Sequence, residues 1–184
     1  YFITFWLPTY LLRERGFDLK SSAWLASLPT LLGGFGCLLS GMMLPIFSRR
    51  IGNTAARKTT ATFALISAGI LLLTATVLQN PILAVFAMAM AFFCNDLSMP
   101  VCWTACMDIG GKMAGTVSGA MNMIGNMGGF FSQIVTGYVL EYTNNWNLAF
   151  YLAGGAFLLG GLIWTMIDPV TPLDKAASQV VVAD

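Results

Sequence analysis

The chain is 184 residues long, with 57% hydrophobic residues, only 9% charged residues and a net charge of +1. A typical soluble domain carries roughly 25% charged residues, so this composition excludes an ordinary soluble protein, and a disordered chain would be poorer in apolar residues. The absence of histidine removes histidine-based triads, metal sites and pH switches. With a near-neutral net charge, the chain lacks the excess of basic residues that is typical of nucleic-acid-binding proteins. We therefore expect an integral membrane protein in a lipid bilayer.

Uncharged apolar runs divide the chain into six predicted transmembrane helices. Continuous runs of this length are helical in lipid, because a helix satisfies its own backbone polar groups. The predicted fold class is thus an all-α polytopic membrane helix bundle. Its spans are about residues 1–12, 23–47, 59–78, 82–107, 113–137 and 147–167, followed by a tail at 169–184. The first run covers about 18 Å as a helix, less than the ~30 Å hydrocarbon core, so we expect a truncated first helix in a fragment.

Basic residues set the predicted orientation. The segment 48–58 contains Arg49, Arg50, Arg57 and Lys58 without an acidic residue. Loops rich in lysine and arginine favour the cytoplasmic side. Alternation of the six spans then places the C-terminal tail in the cytoplasm.

The fifth predicted helix carries a line of polar and small side chains. At about 100° per residue, these positions fall within about 40° of Asn122. They are Gly115, Ser118, Asn122, Asn126, Gly129 and Gln133. Amides facing lipid without a partner would each cost several kcal/mol. This face therefore either forms hydrogen bonds with other helices or lines a substrate pathway.

Asp96 lies near the middle of the fourth predicted span. An ionisable side chain at that depth is costly and is treated as a functional-site hypothesis. Trp103, seven residues later, shares its face, and Pro100 frees a backbone carbonyl at a similar level. The alternative is a structural role, in which Asp96 caps or bonds a neighbouring helix.

The small residues and cysteines predict packing rather than chemistry. Gly33, Cys37 and Gly41 repeat at four-residue spacing, a pattern that lets membrane helices approach closely. The four cysteines lie in apolar runs without a CxxC pair. We expect no metal, no cofactor and no enzyme activity, since no nucleophile–base pair is visible.

Four motifs carry a resemblance to a known family. They are YFITFWLPTYLLRERGF at the start, then GMMLPIFSRRIGNTAARK, MPVCWTACMDIGG and AGTVSGAMNMIGNMGGF. Together they resemble the anion:cation symporter family of major facilitator transporters, over about residues 1–168. The resemblance implies a C-terminal six-helix half that moves an organic anion, such as a sugar acid, hexuronate or similar carboxylate. It also implies coupling to protons or sodium, alternating access and a bacterial inner membrane.

The resemblance also implies roles for particular residues. Asn122 and Asn126 would face the substrate, Trp103 and Cys102 would contribute to the same pocket, and Tyr1 would line it. Ser118, on the amide-bearing face, joins this predicted substrate site. The family's cytoplasmic gate motif fits Gly41, Arg49 and Arg50, but Pro45 stands where the family usually has aspartate, which puts the associated charge relay in doubt.

No lysine or arginine lies within a predicted span, although an organic anion in the bilayer needs a cationic or strongly donating partner. We therefore expect a missing N-terminal six-helix half to supply the cation, with Asp96 as the candidate coupling acid of this half. The alternative from another class is a stand-alone six-helix membrane sensor, scaffold or homodimeric half-transporter. A membrane enzyme is a third and weaker reading.

Overall fold

The computed structural model describes residues 1–173, which contain seven α-helices. They are α1 (Phe2–Arg13), α2 (Leu19–Ile51), α3 (Asn53–Val77), α4 (Pro81–Leu97), α5 (Met99–Gly110), α6 (Ala114–Thr143) and α7 (Trp146–Trp164), with a short 3-10 helix at Gly111–Met113. The described residues contain no strand, and the predicted all-α fold is confirmed. Residues 174–184, most of the predicted tail, lie outside the described residues.

Four helical stretches are long and apolar enough to cross a membrane: Leu19–Ile51, Asn53–Val77, Pro81–Thr143 and Trp146–Trp164. The third has 63 residues, about three times the ~20 that one crossing needs. It covers α4, α5 and α6, and it turns where Gly111 adopts a φ of 47° after α5. With α4 and α5 counted as one interrupted helix, α1 to α7 form six helical segments in chain order; that each of them is a membrane span stays a prediction.

α2, α3 and α6 extend beyond the apolar runs that predict them, whereas α7 ends at Trp164, before the predicted end at residue 167. α2 begins four residues before the predicted start at residue 23, because Asp18 caps it. The Asp18 carboxylate accepts hydrogen bonds from the backbone amides of Lys20 at 3.2 Å and Ser21 at 3.3 Å. Hydrogen bonds from Ser21, first its side chain and then its amide, hold the pKa of this carboxyl below its ordinary value.

A single residue, Gly52, joins α2 to α3. Its φ of 83° lies in the left-handed region that side chains other than glycine rarely adopt. The segment 48–58, which we expected to be a loop, is therefore helical except at Gly52. Arg49 and Arg50 lie in the last turn of α2.

α3 packs between α4 and α7 through very small side chains. Ala61, Ala64 and Ala68 of α3 have no exposed surface. At Gly69, an added Cβ would stand 3.0 Å from the carbonyl oxygen of Gly154 in α7. Membrane helices associate by such close backbone approach. We refer to α3, α4 and α7 below as the packed block.

α2 approaches α4 through Gly33, Gly36 and Ser40, which are all buried. A Cβ on Gly36 would collide with the Phe93 carbonyl oxygen, whereas one on Gly41 would meet nothing within 4 Å. The predicted contact face through Gly41 is therefore wrong in this chain. A helix of 3.6 residues per turn keeps one face by alternating steps of three and four, not by steps of four alone.

The predicted fourth span, 82–107, is two helices that meet at Ser98. Pro100 has no amide hydrogen to donate to the preceding turn. The Ser98 amide instead bonds the Asn95 carbonyl at 3.0 Å. The Ser40 hydroxyl of α2 donates to the Leu97 carbonyl at 2.6 Å, so a neighbouring helix bonds the backbone at the break.

Candidate functional site

Asn122 and Asn126 form a hydrogen-bonded pair on α6. The Asn126 Nδ2 donates to the Asn122 carbonyl oxygen at 2.8 Å and to the Asn122 Oδ1 at 3.0 Å. Both side chains are exposed within this chain. An added Cβ at Gly115 or Gly125 of the same helix would meet nothing within 4 Å. The amide pair thus lies on an open face.

Tyr1 connects α1 to this amide pair. Its hydroxyl donates a hydrogen bond to the Asn126 Oδ1. Its ring lies over Gly129, where an added Cβ would stand 2.8 Å from the Tyr1 Cγ. Gly129 is one of only two buried residues of α6, and its missing side chain gives the Tyr1 ring room to reach Asn126.

The hydrogen bonds leave one donor group at the end of this network. Tyr1 donates to Asn126, and Asn126 donates to Asn122. The Asn122 Nδ2 has no acceptor among residues 1–173, although an amide nitrogen carries two donor hydrogens. Its position on the open face leaves these hydrogens available to a ligand oxygen.

Asp96 lines a cavity of about 500 Å³ between α1 and α4. Its Oδ1 accepts a hydrogen bond from Asn95 Nδ2 at 2.8 Å. Its Oδ2 lies against Gly33 of α2, where any Cβ would collide with it. Tyr1 also lines this cavity. One tyrosine therefore borders both the amide pair and the intramembrane acid.

The other residues of the predicted substrate site do not hydrogen-bond to the amide pair among residues 1–173. Trp103 is 39% exposed, and Cys102 is half-buried beside it on α5. A contact of 3.2 Å between the sulfurs of Cys106 and Met121 joins α5 to α6, next to Asn122. Cys102 and Trp103 thus lie on α5, the helix that flanks the amide pair, whereas Ser118 lies on α6 itself, one turn before Asn122.

An ion pair at the start of α3 was missed by the sequence analysis. Arg57 and Asp108 approach to 2.6 Å, and Arg57 is only 8% exposed. The same guanidinium donates to the Pro169 carbonyl at 2.7 Å. Arg57 thereby joins α3 to the end of α5 and to the segment after α7. The predicted gate residues are exposed, and no ion pair involves them among residues 1–173: Gly41, Arg49 and Arg50.

A second arginine contact, also missed, lies at the opposite end of α3. The Arg15 Nε donates to the Tyr10 hydroxyl at 2.7 Å. Its terminal nitrogens donate to the carbonyl oxygens of Leu78 at 3.1 Å and Gln79 at 3.2 Å. Arg15 borders a polar pocket of about 460 Å³ with Glu14. Local sequence could not pair Arg15 with residues more than 60 positions away.

Among residues 1–173, no group of three or more Cys, Asp or Glu side chains is arranged to hold a metal ion. The cavity beside Asp96 has no lysine or arginine in its lining. What the site offers a ligand is therefore the neutral amide donor of Asn122 on α6 and one carboxyl group, that of Asp96, on α4.

Comparison with known proteins gives consistent matches. The family model of the Major Facilitator Superfamily matches residues 1–133. The probable sulfoacetate transporter SauU of Cupriavidus necator is 32% identical over 92% of this chain and 40% of its own length. The probable galactarate/D-glucarate transporter GudP of Escherichia coli is 30% identical over 91% of this chain and 37% of its own. The hexuronate transporter of Bacillus subtilis is 27% identical over 88% of this chain and 39% of its own length.

Proposed function

Because this chain belongs to the Major Facilitator Superfamily, we propose that it supplies six helices of a secondary transporter for a small organic anion. The family indicates a transporter rather than an enzyme. The chain spans about 40% of the length of the relatives named above. Their names refer to sulfoacetate, galactarate or D-glucarate, and hexuronate, which are all organic anions. We assign a sugar acid, a hexuronate or a similar carboxylate as the substrate.

The observation that carries this proposal is the donor network on α1 and α6. Tyr1 orients Asn126, which in turn fixes the Asn122 side chain with its oxygen occupied and its nitrogen open. An amide held this way presents donors rather than acceptors. A carboxylate accepts hydrogen bonds only, so the network suits a carboxylate and disfavours a cationic ligand that only donates.

The charge of the substrate requires a second contribution. Neutral amides alone give weaker bonds to a carboxylate than a guanidinium does, and the cavity beside Asp96 has no basic lining residue. We assign the missing cation to an N-terminal half of the transporter that faces the open side of α6. Rocking of the two halves around this site would give alternating access.

Asp96 is the residue that we assign to ion coupling. It is an acid within the apolar stretch, it borders a cavity, and Tyr1 links that cavity to the amide pair. Protonation or sodium binding at this carboxylate would remove its charge when an anionic substrate is present. The coupling ion, a proton or sodium, would thus balance charge at the same depth.

The basic residues at the junction of α2 and α3 support the orientation that we propose, with this junction and the C-terminal tail in the cytoplasm of a bacterial inner membrane. An accessible tag after residue 184 in intact cells would contradict it.

Uptake by the full-length protein tests the substrate site. Asn122→Ala should reduce carboxylate uptake by about 10- to 100-fold, because a hydrogen bond to a charged group contributes about 1.5–3 kcal/mol. Met123→Ala is the matched control, since this exposed neighbour points to a different side of α6. Equal uptake by the two variants, at equal amounts in the membrane, would reject the assignment of Asn122.

A further inference from the structure

A groove of about 580 Å³ runs between α2, α3 and α4 near the end of α2. Its apolar walls include Leu39, Met43, Phe47, Phe63, Phe93 and Leu97. Phe63 is 66% exposed and Leu39 is 42% exposed, so the described chain leaves the groove open. It lies on a different side of the molecule from the Asp96 cavity, which α1 and α4 border.

The depth and polarity of the groove fit a hydrocarbon chain. From Leu39 to Phe47 it extends about 12 Å along α2, close to the ~15 Å hydrocarbon depth of one leaflet. Two of its polar side chains already bond the backbone: Ser40 donates to the Leu97 carbonyl and Thr59 to the Ala55 carbonyl. An apolar occupant would therefore leave neither of these two hydroxyls without a partner; the third, on the half-buried Thr60, makes no hydrogen bond among residues 1–173.

One arginine, Arg50, lies just beyond the groove along α2, whereas Arg49 lies about 120° from Met43 around the helix. Arg49 and Arg50 are exposed in the last turn of α2. Arg50 is seven residues after Met43 and so lies about 20° from it around the helix. It is about 4.5 Å beyond Phe47 along the axis. No acidic residue occurs between positions 48 and 58, and no ion pair holds either arginine among residues 1–173.

We propose that this groove binds one acyl chain of an anionic phospholipid, whose headgroup phosphate contacts Arg50. Charge complementarity favours an anionic lipid, because Arg50 attracts the phosphate, Arg49 adds positive charge at the same end of α2, and no acidic residue between positions 48 and 58 would bind the ammonium of a zwitterionic lipid. A second copy of the chain fits less well, since a symmetric dimer through this face brings the two arginine pairs towards each other.

Quenching of tryptophan fluorescence by brominated lipids tests the proposal in the full-length protein. Phe63→Trp places a reporter in the groove. Ile70→Trp is its matched control, because it lies seven residues further on the same side of α3, is 52% exposed and is outside the groove. Each variant is reconstituted with brominated phosphatidylglycerol or brominated phosphatidylcholine, and the signal of the parent protein is subtracted.

At Phe63→Trp we expect binding of phosphatidylglycerol to be preferred over phosphatidylcholine by roughly 5- to 30-fold, the range that one or two basic residues give at a membrane surface. At Ile70→Trp we expect the two lipids to quench about equally. Adding Arg49→Gln and Arg50→Gln should abolish the preference. An equal preference at both reporters, or one that survives the arginine changes, would overturn the proposal. Absence of quenching by either lipid at Phe63→Trp would also overturn it, because protein would then cover the groove.

Discussion

Helices α3 and α6 have similar lengths, 25 and 30 residues, but opposite relations to the rest of the chain. α3 buries eight residues, mostly alanines, against α4 and α7, whereas α6 buries only Gly129 and Thr136. Both are rich in small residues. In α3 these residues admit neighbours from the same chain, and in α6 they leave a polar face open. Small residues therefore indicate where something approaches closely, and the partner has to be found from the fold.

The largest loss of stability is expected from a substitution that disrupts the packed block. A leucine at Gly69 would have its Cβ 2.9 Å from the Leu158 Cγ and 3.0 Å from the Gly154 carbonyl oxygen. Overpacking of this kind costs about 3 kcal/mol, so Gly69→Leu should sharply reduce the folded, monodisperse fraction of the full-length protein. Thermal unfolding in detergent measures this loss.

The contrasting variant is Gly125→Leu in α6, where an added Cβ meets nothing within 4 Å among residues 1–173. We expect the folded fraction to stay near that of the parent while uptake falls, because the leucine would occupy the open face beside Asn122. If Gly125→Leu unfolds the protein as much as Gly69→Leu does, the distinction between the two helices is wrong.

A smaller loss of stability is expected at the start of α3. Asp108→Asn leaves the buried Arg57 with only the Pro169 carbonyl among its recorded partners. Because Asp108 is 41% exposed, the cost should be about 1–2 kcal/mol, less than for a fully buried pair. Glu141→Gln, at an exposed acid of α6, should leave the unfolding temperature unchanged. Equal unfolding temperatures for the two variants would show that the ion pair contributes nothing.

The smallest effect on stability is expected at Asp96, which lies on α4 of the packed block and borders the cavity that Tyr1 also lines. Asp96→Asn keeps the shape of the side chain and should leave the protein folded. It cannot titrate, so the dependence of uptake on external pH or sodium should flatten. Uptake by Asp96→Asn is compared with that of Glu141→Gln across the same pH and sodium series. If both variants keep the dependence of the parent protein, Asp96 has only the structural role of bonding Asn95.

The sequence predicts the elements of this fold better than their contacts. Long apolar runs identify helices because the bilayer leaves few alternatives, and the line of amides from Asn122 to Gln133 does lie on one helix, α6. The ends of α2 were missed because polar residues continue a helix beyond the hydrocarbon region. The break at Ser98 also depends on Ser40, which is 58 positions earlier in the chain.

The contacts around the site likewise could not be predicted from local sequence, because they join residues that are far apart in the chain. The hydrogen bond from Tyr1 to Asn126 joins residues 125 positions apart, and the Arg57–Asp108 pair joins α3 to α5. A loop rich in basic residues indicated only a membrane side for Arg57. Four basic residues lie close together in this segment, and the packing of α3 buries only Arg57. Arg49 and Arg50 lie on α2 and are exposed.

The two arginine contacts constrain how α3 can move. Arg57 holds α3 near its beginning, and Arg15 bonds the carbonyls just after its end, starting at Leu78, about 32 Å further along the helix axis. A displacement of α3 along its own axis would break hydrogen bonds at both membrane surfaces at once. Rotation of α1 to α7 together breaks neither set, whereas tilting only α3, α4 and α7 would separate Arg57 from Asp108 of α5 and Leu78 from Arg15, which follows α1. Rotation as a rigid unit is therefore the less costly degree of freedom, and a piston-like movement is the more costly one.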